Sequence, residues 1–248
     1  MTSLHRRLRN LFEQAVLDYQ MLQKGDRVLV AVSGGADSLT MLTLLSGPKI
    51  AVTEDISLVS VCLDLGFDKS AGKGWGRLEE HFQNMECEYV MERSQIGIRA
   101  HSQENQKNPC FLCARLRRKR LFELAERTEC NKLALGHHKD DIVETFFLNV
   151  LFSAEVSTMV PNQEVFAGKY RIIRPLAYID EFLLKRFAEE YQLPVLPNSC
   201  PTQITSRRAL VKKLLAQLER QHKGIRDNIF RALGNVKAEY MLTPSLTT

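Results

Sequence analysis

No apolar stretch in this sequence approaches the roughly 20 residues that a membrane helix needs, and the basic start, Met1 to Asn10, has no apolar segment behind it. Neither a membrane-spanning protein nor an exported one is expected. Cysteine is sparse: six in 248 residues is too few for a disulfide scaffold. Two of the six, Cys110 and Cys113, form a CxxC pair, which favours a reducing cytoplasm. Internal repeats and low-complexity segments are also missing, so repeat arrays and disordered tails are not expected. A near-average apolar and charged content at this length fits one α/β domain with a smaller appendage.

The net charge of +5 is modest, but the positive residues cluster in His5-Arg6-Arg7-Leu8-Arg9, in Arg115 to Arg120, and in Arg207-Arg208 with Lys212-Lys213. Clusters matter more than the total when the partner is a polyanion. Each is equally readable as the solvated face of a helix.

Leu4, Leu8, Leu11, Phe12, Ala15, Val16 and Tyr19 recur at helical spacing, which predicts an opening helix ended by Lys24-Gly25-Asp26. Arg27 to Val32 reads as a strand buried in a parallel sheet and leads through Ser33-Gly34-Gly35 into a helix marked by Leu39, Met41, Leu42, Leu44 and Leu45. The alternation continues with strands at Ile56 to Leu63, Tyr89 to Met91 and Lys132 to Leu135, and helices at Trp75 to Met85, Phe111 to Arg127 and Asp140 to Phe152. Val165 to Pro175 is expected to be extended, and helices are expected from Tyr178 to Tyr191, Ser206 to His222 and Gly224 to Val236. Ser94 to Pro109 reads as a long polar loop. This rhythm predicts a doubly wound parallel sheet with flanking N- and C-terminal helices.

After a buried strand, Gly34 and Gly35 let backbone amides converge on an anion, Ser33 and Ser38 add hydroxyls, and the helix beginning near Asp37 presents its positive end. The loop is neither GxxxxGK[ST] nor GxGxxG. It is suited to phosphate and hence to ATP. The segment Gly136-His137-His138-Lys139-Asp140-Asp141-Ile142-Val143-Glu144-Thr145 starts a helix at the carboxyl end of another strand, the edge where such sheets bind ligands. Its carboxylates suit the helix dipole as well as a magnesium ion.

Cys110 and Cys113 lie where a helix begins, and Cys200 lies between Pro197 and Pro201 in a second loop. Helix amides and nearby arginines are expected to lower a thiol pKa there. Three thiolates from two loops suit three corners of an iron-sulfur cubane or three positions around zinc, and a bare CxxC also serves as a redox pair or arises by chance. Cys62, Cys87 and Cys130 fall in or beside strands and read as small core residues.

With these residues in hand, the chain resembles the PP-loop ATPase superfamily, whose SGGxDS loop matches Ser33 to Ser38, and within it the tRNA 2-thiocytidine synthetase family. The likeness runs through the loop, Cys110 to Arg118, Gly136 to Thr145, Arg174-Pro175-Leu176, Cys200 with Gln203, and Asn228 to Ala232. It implies a PP-loop, adenine nucleotide alpha hydrolase-like sheet over residues 25–195, a helix over 1–24, and a cysteine loop and helices over 196–248 packed on the same domain. It also implies adenylation of cytidine 32 of tRNA with ATP, then replacement of the C2 oxygen by sulfur at a [4Fe-4S] cluster on Cys110, Cys113 and Cys200. A cysteine desulfurase would supply the sulfur, and a homodimer is compatible with it. By the same resemblance Ser33, Gly34, Gly35, Asp37, Ser38, Asp64, Gly136, His137 and Asp140 contact the nucleotide, Asp37 and Asp141 are catalytic with Asp141 on magnesium, and Arg115, Arg117, Arg118 and Arg120 contact RNA. Two departures stand out. Position 36 is alanine where the family commonly has lysine, and Asn198 to Pro201 keeps one cysteine where members often have two. A lysidine-synthetase-like ligase shares the loop and the HHxDDxxET stretch without needing the cysteines, and a cluster- or zinc-bearing RNA-binding protein without catalysis is a further alternative.

Overall fold

The computed structural model describes residues 1–47, 55–67, 72–85, 87–105, 108–197, 199–202 and 206–242; Asn198 and Gln203 lie outside the described residues. Among the described residues one sheet contains β1 (Arg27–Ala31), β2 (Ser57–Asp64), β3 (Glu88–Arg93), β4 (Lys132–Leu135), β5 (Asn162–Val165) and β6 (Tyr170–Ile173). Their order is β3-β2-β1-β4-β6-β5. All neighbours are parallel except β5, which pairs antiparallel with β6. Central β1 matches Val28 to Leu58 on one side and to Lys132 on the other.

Alternation along β1 sends its side chains to two cores, as strand geometry requires. Val28, Val30 and Val32 join a cluster with Leu8 and Phe12 of α1 (Ser3–Asp18), Leu39 of α2 (Ala36–Leu45), Leu78 and Phe82 of α3 (Gly72–Asn84) and Phe187 of α7 (Glu181–Glu190). Leu29 and Ala31 face Leu121, Leu124 and Ala125 of α5 (Pro109–Arg127). Helices on both faces of a largely parallel sheet are the doubly wound arrangement. A third, small cluster joins Val143 of α6 (Lys139–Ser153) to Val211 and Leu215 of α8 (Arg207–Gln221), with Ile229 and Phe230 of α9 (Ile225–Leu233) against it.

Three local expectations change. Helix α1 stops at Asp18, before Lys24, and Gln20 turns the chain at φ 48°. Ser94 to Pro109 is not a plain loop, because it contains α4 (Ile96–Ala100) and a 3-10 turn at Gln103–Asn105. Val165 to Pro175 is a hairpin, not a single extended run: β5 ends at Val165, and Phe166 to Lys169 turn the chain back into β6.

Beneath the sheet, at the amino end of the strands, Lys132 Nζ lies 2.6 Å from Asp26 Oδ2, with the side chains 4% and 1% exposed. Asp26 also accepts from the Gln23 amide at 2.7 Å and from Asn131 Nδ2 at 2.8 Å, and Lys132 donates to the Met21 carbonyl at 2.8 Å. The pair ties the α1–β1 connection to β4. Removing one member of such a pair leaves a buried charge. Asp26→Ala is therefore expected to destabilise the protein by about 3–5 kcal/mol in chemical denaturation, whereas Asp26→Leu combined with Lys132→Met recovers most of that loss.

Candidate active site

The first βα turn is braced from inside. Ser38 Oγ accepts from the Ser33 amide at 3.0 Å, donates to the Gly35 carbonyl at 3.0 Å, and lies 3.2 Å from Ser33 Oγ. Both hydroxyls shape the loop, so the amides at the start of α2, which have no partners inside the helix, are the donors offered outward. Gly34 has φ +81°, and a Cβ there would fall 2.8 Å from Leu196, whose amide donates to the Gly34 carbonyl at 2.8 Å. Gly136 closes the other side: its Cβ would lie 3.1 Å from the Ser38 backbone. The two βα turns thus meet through glycine. Asp64 Oδ1 accepts from the Gly66 amide at 2.8 Å and fixes the turn after β2 at the same edge.

Adjacent His137 and His138 point apart. His138 is buried, with Nε2 3.3 Å from Asp141 Oδ2 and 3.9 Å from Asp37 Oδ2, and so joins the carboxylates of both turns. Asp141 is held by the His138 amide at 3.2 Å and by Arg208 Nη1 at 2.8 Å, while Arg208 Nη2 reaches Thr145 Oγ1 at 3.0 Å. Burial pushes the Asp37 carboxyl above the usual range, with His138 opposing and Asp141 reinforcing the shift. Asp37 Oδ1 and Glu144 Oε1 are buried without a hydrogen-bond partner among the described residues. An orphaned carboxylate oxygen beside a phosphate loop suits a cation shared with phosphate, since magnesium takes one or two carboxylates plus phosphate oxygens. Asp140 differs: Oδ1 accepts from Arg226 at 2.6 Å and Oδ2 from the Glu181 amide at 2.8 Å, so it clamps helices together. Ala36 and Asp37 line a recess of about 580 Å3 with Arg77 and Lys185.

Cys110 and Cys200, from two segments, are joined through one side chain. Cys110 Sγ lies 3.2 Å and Cys200 Sγ 3.5 Å from the same Thr202 hydroxyl, so the two sulfurs are no farther apart than those two legs allow. His101 Nε2 is 3.2 Å from that hydroxyl. Burial pushes the Cys113 thiol up, Cys200 and Cys110 add to this, and Arg117 opposes. The expectation of a lowered thiol pKa fails at Cys113, because burial and the neighbouring thiols outweigh the guanidinium. Among the described residues no three His, Cys, Asp or Glu side chains converge as they would on one metal ion. Cys110 and Cys113 stand at the start of α5 and Cys200 in the segment after α7, and three thiols so supplied still fit as donors for the corners of an iron-sulfur cubane. Cys62 and Cys130 are buried, with Cys62 pushed up to about 12 by burial, and half-buried Cys87 lies 3.3 Å from Ser60 Oγ.

Leu196, whose amide donates to the Gly34 carbonyl, stands four residues before Cys200 and ties the cysteine segment to the phosphate turn, and Arg117 acts electrostatically on both Cys113 and His137. Arg174, buried, donates from Nε to His137 Nδ1 at 3.3 Å, leaving the ring proton on Nε2. Of the four arginines expected on RNA, Arg115 and Arg118 are exposed and Arg117 is turned toward the thiols. Arg120 is committed to Glu92 at 2.6 and 2.7 Å and to Glu123 at 2.6 Å. His138, Arg174 and Arg208 stood inside named sequence segments without a role of their own, and Thr202 had no sequence signal.

The PP-loop domain family matches residues 1–219. The chain is 37% identical over 235 residues to a tRNA-cytidine(32) 2-sulfurtransferase of Pseudomonas putida (strain W619), covering 94% of this chain and 85% of the relative. It is 36% identical over 248 residues to the protein of the same name from Pectobacterium atrosepticum, covering 99% and 79%. The fold is similar to that of the U34-tRNA thiolase NcsA from Methanococcus maripaludis, solved with its [4Fe-4S] cluster, with TM-score 0.76, 22% identity and coverage of 96% and 80%. It is also similar to an NH3-dependent NAD synthetase from Campylobacter jejuni, with TM-score 0.51, 14% identity and coverage of 99% and 100%.

Burial pushes the His137 imidazole down to about 3; Asp141 opposes this, and Arg174, Arg208 and Arg117 add to it. A free histidine titrates near 6.5, so below that pH the unfolded chain binds the proton that folded His137 refuses. This residue's contribution makes stability fall as pH drops from about 6.5 toward 3. Histidine carbon resonances should show His137 neutral at pH 5, and His137→Gln should flatten the loss of stability across that window.

Proposed function

The chain belongs to the PP-loop family and, within it, to the tRNA-cytidine(32) 2-sulfurtransferases, and from that premise we propose that it thiolates tRNA with ATP, converting a cytidine to 2-thiocytidine at position 32. The observation that carries this reading is the tie between two sites: Leu196, four residues before Cys200, donates its amide to Gly34 of the phosphate turn, and Cys200 shares the Thr202 hydroxyl with Cys110. The C2 carbonyl oxygen of the base attacks the α-phosphorus of ATP, and pyrophosphate departs along the α2 amides. Sulfur then adds at C2, and AMP leaves with the former carbonyl oxygen.

Each residue has its part. Gly34, Gly35 and the first amides of α2 hold the departing pyrophosphate, while Ser33 and Ser38 keep the loop in shape. Asp37 and Asp141, joined through His138, face that charge, and magnesium bound there would offset it. His137 offers a neutral Nε2–H donor beside Arg117 and Arg174. Asp64 and Gly136 shape the nucleoside side of the edge, and Asp140 acts by holding α6 to α7 and α9. A [4Fe-4S] cluster on Cys110, Cys113 and Cys200 would, when bound, supply an iron free of protein ligands for sulfur drawn from a cysteine desulfurase. The cation missing at Ala36 is supplied across the recess by Arg77 and Lys185.

Protein reconstituted with iron and sulfide without oxygen is expected to form 2-thiocytidine from tRNA, ATP and sulfide, detected by mass spectrometry of nucleoside digests. Cys113→Ser is expected to abolish the product while tRNA-dependent AMP formation persists. Thiolated nucleosides unchanged by deletion of the gene would count against the proposal. For the recess, Arg77→Ala with Lys185→Ala is expected to raise KM for ATP about tenfold, the loss of a charge-assisted contact of about 1.5 kcal/mol. Ala36→Lys in that background should restore it.

A further inference from the structure

The face of α5 that looks away from the sheet forms, with the β5–β6 turn, a groove of about 560 Å3 that the chemistry above does not use. Its two ends are aromatic. Phe111 is 70% exposed and Phe166 63% exposed, an unusual placement for side chains this apolar. Phe166 is held edge-on against Phe122 at 4.9 Å and against Tyr170 at 6.1 Å. Phe166 and the following Ala167 take φ of 53° and 54°, a left-handed conformation that disfavours residues other than glycine. The fold thus holds a strained turn that presents a phenyl ring to solvent. Strain of this kind concentrates where a ligand is gripped.

The charge between the rings has one sign to spare. Four cations, Arg115, Arg118, Lys119 and Lys169, line the groove with two carboxylates, Glu123 and Glu126. Both carboxylates are engaged, Glu126 by Lys169 at 2.7 Å and Glu123 by Arg120 at 2.6 Å. Arg115 and Arg118 are exposed. Cations for phosphates between aromatic faces for bases form the platform that binds single-stranded nucleic acid. Duplex RNA, read by shape and phosphate contacts, has no use for exposed phenyl rings. The groove starts at Phe111, one residue past Cys110 on the same helix.

We propose that this groove receives the unpaired nucleotides on the 3′ side of the modified base, with one base stacked on Phe111, another on Phe166, and the intervening phosphates on Arg115 and Arg118. The proposal rests on the tRNA reading above. It narrows RNA contact to the outward face of α5, leaving Arg117 to the thiol pocket and Arg120 to its glutamates.

The test uses cluster-loaded protein and a tRNA anticodon stem-loop carrying 2-aminopurine at the first or the second nucleotide 3′ of the target, and follows binding by fluorescence without turnover. Phe111→Ala and Phe166→Ala are each expected to raise the Kd for this RNA about tenfold and to abolish quenching of the probe at one of the two positions, with ATP affinity unchanged. Phe111→Trp and Phe166→Trp should keep both signals, which separates stacking from misfolding. Wild-type affinity in both alanine variants would overturn the proposal. So would an altered oligomeric state in those variants with RNA affinity intact, since the groove would then be a contact between copies. Aromatic-dependent RNA binding by a protein that forms no 2-thiocytidine would leave the groove standing and remove the thiolation reading.

Discussion

The first turn of α6 is the constraint on which the arrangement depends. Three consecutive residues there hold three elements: Lys139 reaches Asp180 at the start of α7 and Asp227 of α9, both at 2.5 Å, Asp140 takes Arg226 of α9 and the Glu181 amide of α7, and Asp141 takes Arg208 of α8. Helices α7, α8 and α9 are thereby fixed to one helix start. Ion pairs on an open surface contribute little, but half-buried ones with several hydrogen bonds each are directional and mutually supporting. The small apolar cluster of Val143, Val211 and Leu215 alone would let α8 slide along α6. The charges above it set the register, and with it the distance of Arg208 from Asp141.

That register matters because the other side of the same turn is built to a tolerance of a few tenths of an ångström. A methyl group on Gly136 would press on the Ser38 backbone, and one on Gly34 would meet Leu196. The phosphate turn, the HHxDD turn and the segment after α7 are therefore packed backbone against backbone. Moving α6 would move the wall behind Ser38, whose hydroxyl already satisfies the Ser33 amide and the Gly35 carbonyl. The ion pairs outside and the hydroxyl network inside act on one set of atoms from two directions.

The parts legible in the sequence were those with local signatures. Strands β1 and β4 are apolar runs because both faces of a central parallel strand are covered, and the glycines after them mark close approach. The Phe166 turn was hidden because its first two left-handed residues are phenylalanine and alanine, where a hairpin usually advertises itself with asparagine and glycine; only Gly168, at φ 87°, gave a turn signal. Helix α4, with five residues, is too short to show a period. At the site, Thr202 joins Cys110 across 92 positions and Arg208 joins Asp141 across 67, and no spacing rule reaches that far. The arginines of α5 show the limit most clearly. Arg118 and Arg120 look alike in sequence, and Glu92 arriving from β3, together with Glu123 on the same helix, commits the second of them.

Electrostatics then explain why the first histidine matters less as a base than as a spacer. Arg174, Arg208 and Arg117 all act on His137, and two unit charges about 4 Å apart at a protein surface repel by about 4 kcal/mol. A protonated His137 would add a fourth positive charge to that group, so burial and repulsion keep it neutral and Arg174 takes its Nδ1 lone pair. On the opposite side His138 sits among Asp37, Asp140 and Asp141, an environment of the other sign. Two adjacent imidazoles thus divide the edge, one turned to a cationic pocket beside the thiols and one to the carboxylates beside the phosphate turn. A polyanion meeting this edge encounters positive charge on the thiol side and helix amides on the other, and the carboxylates between them are screened by His138 and Arg208. The order of residues in Gly136 to Asp141 is what lays down that alternation of sign.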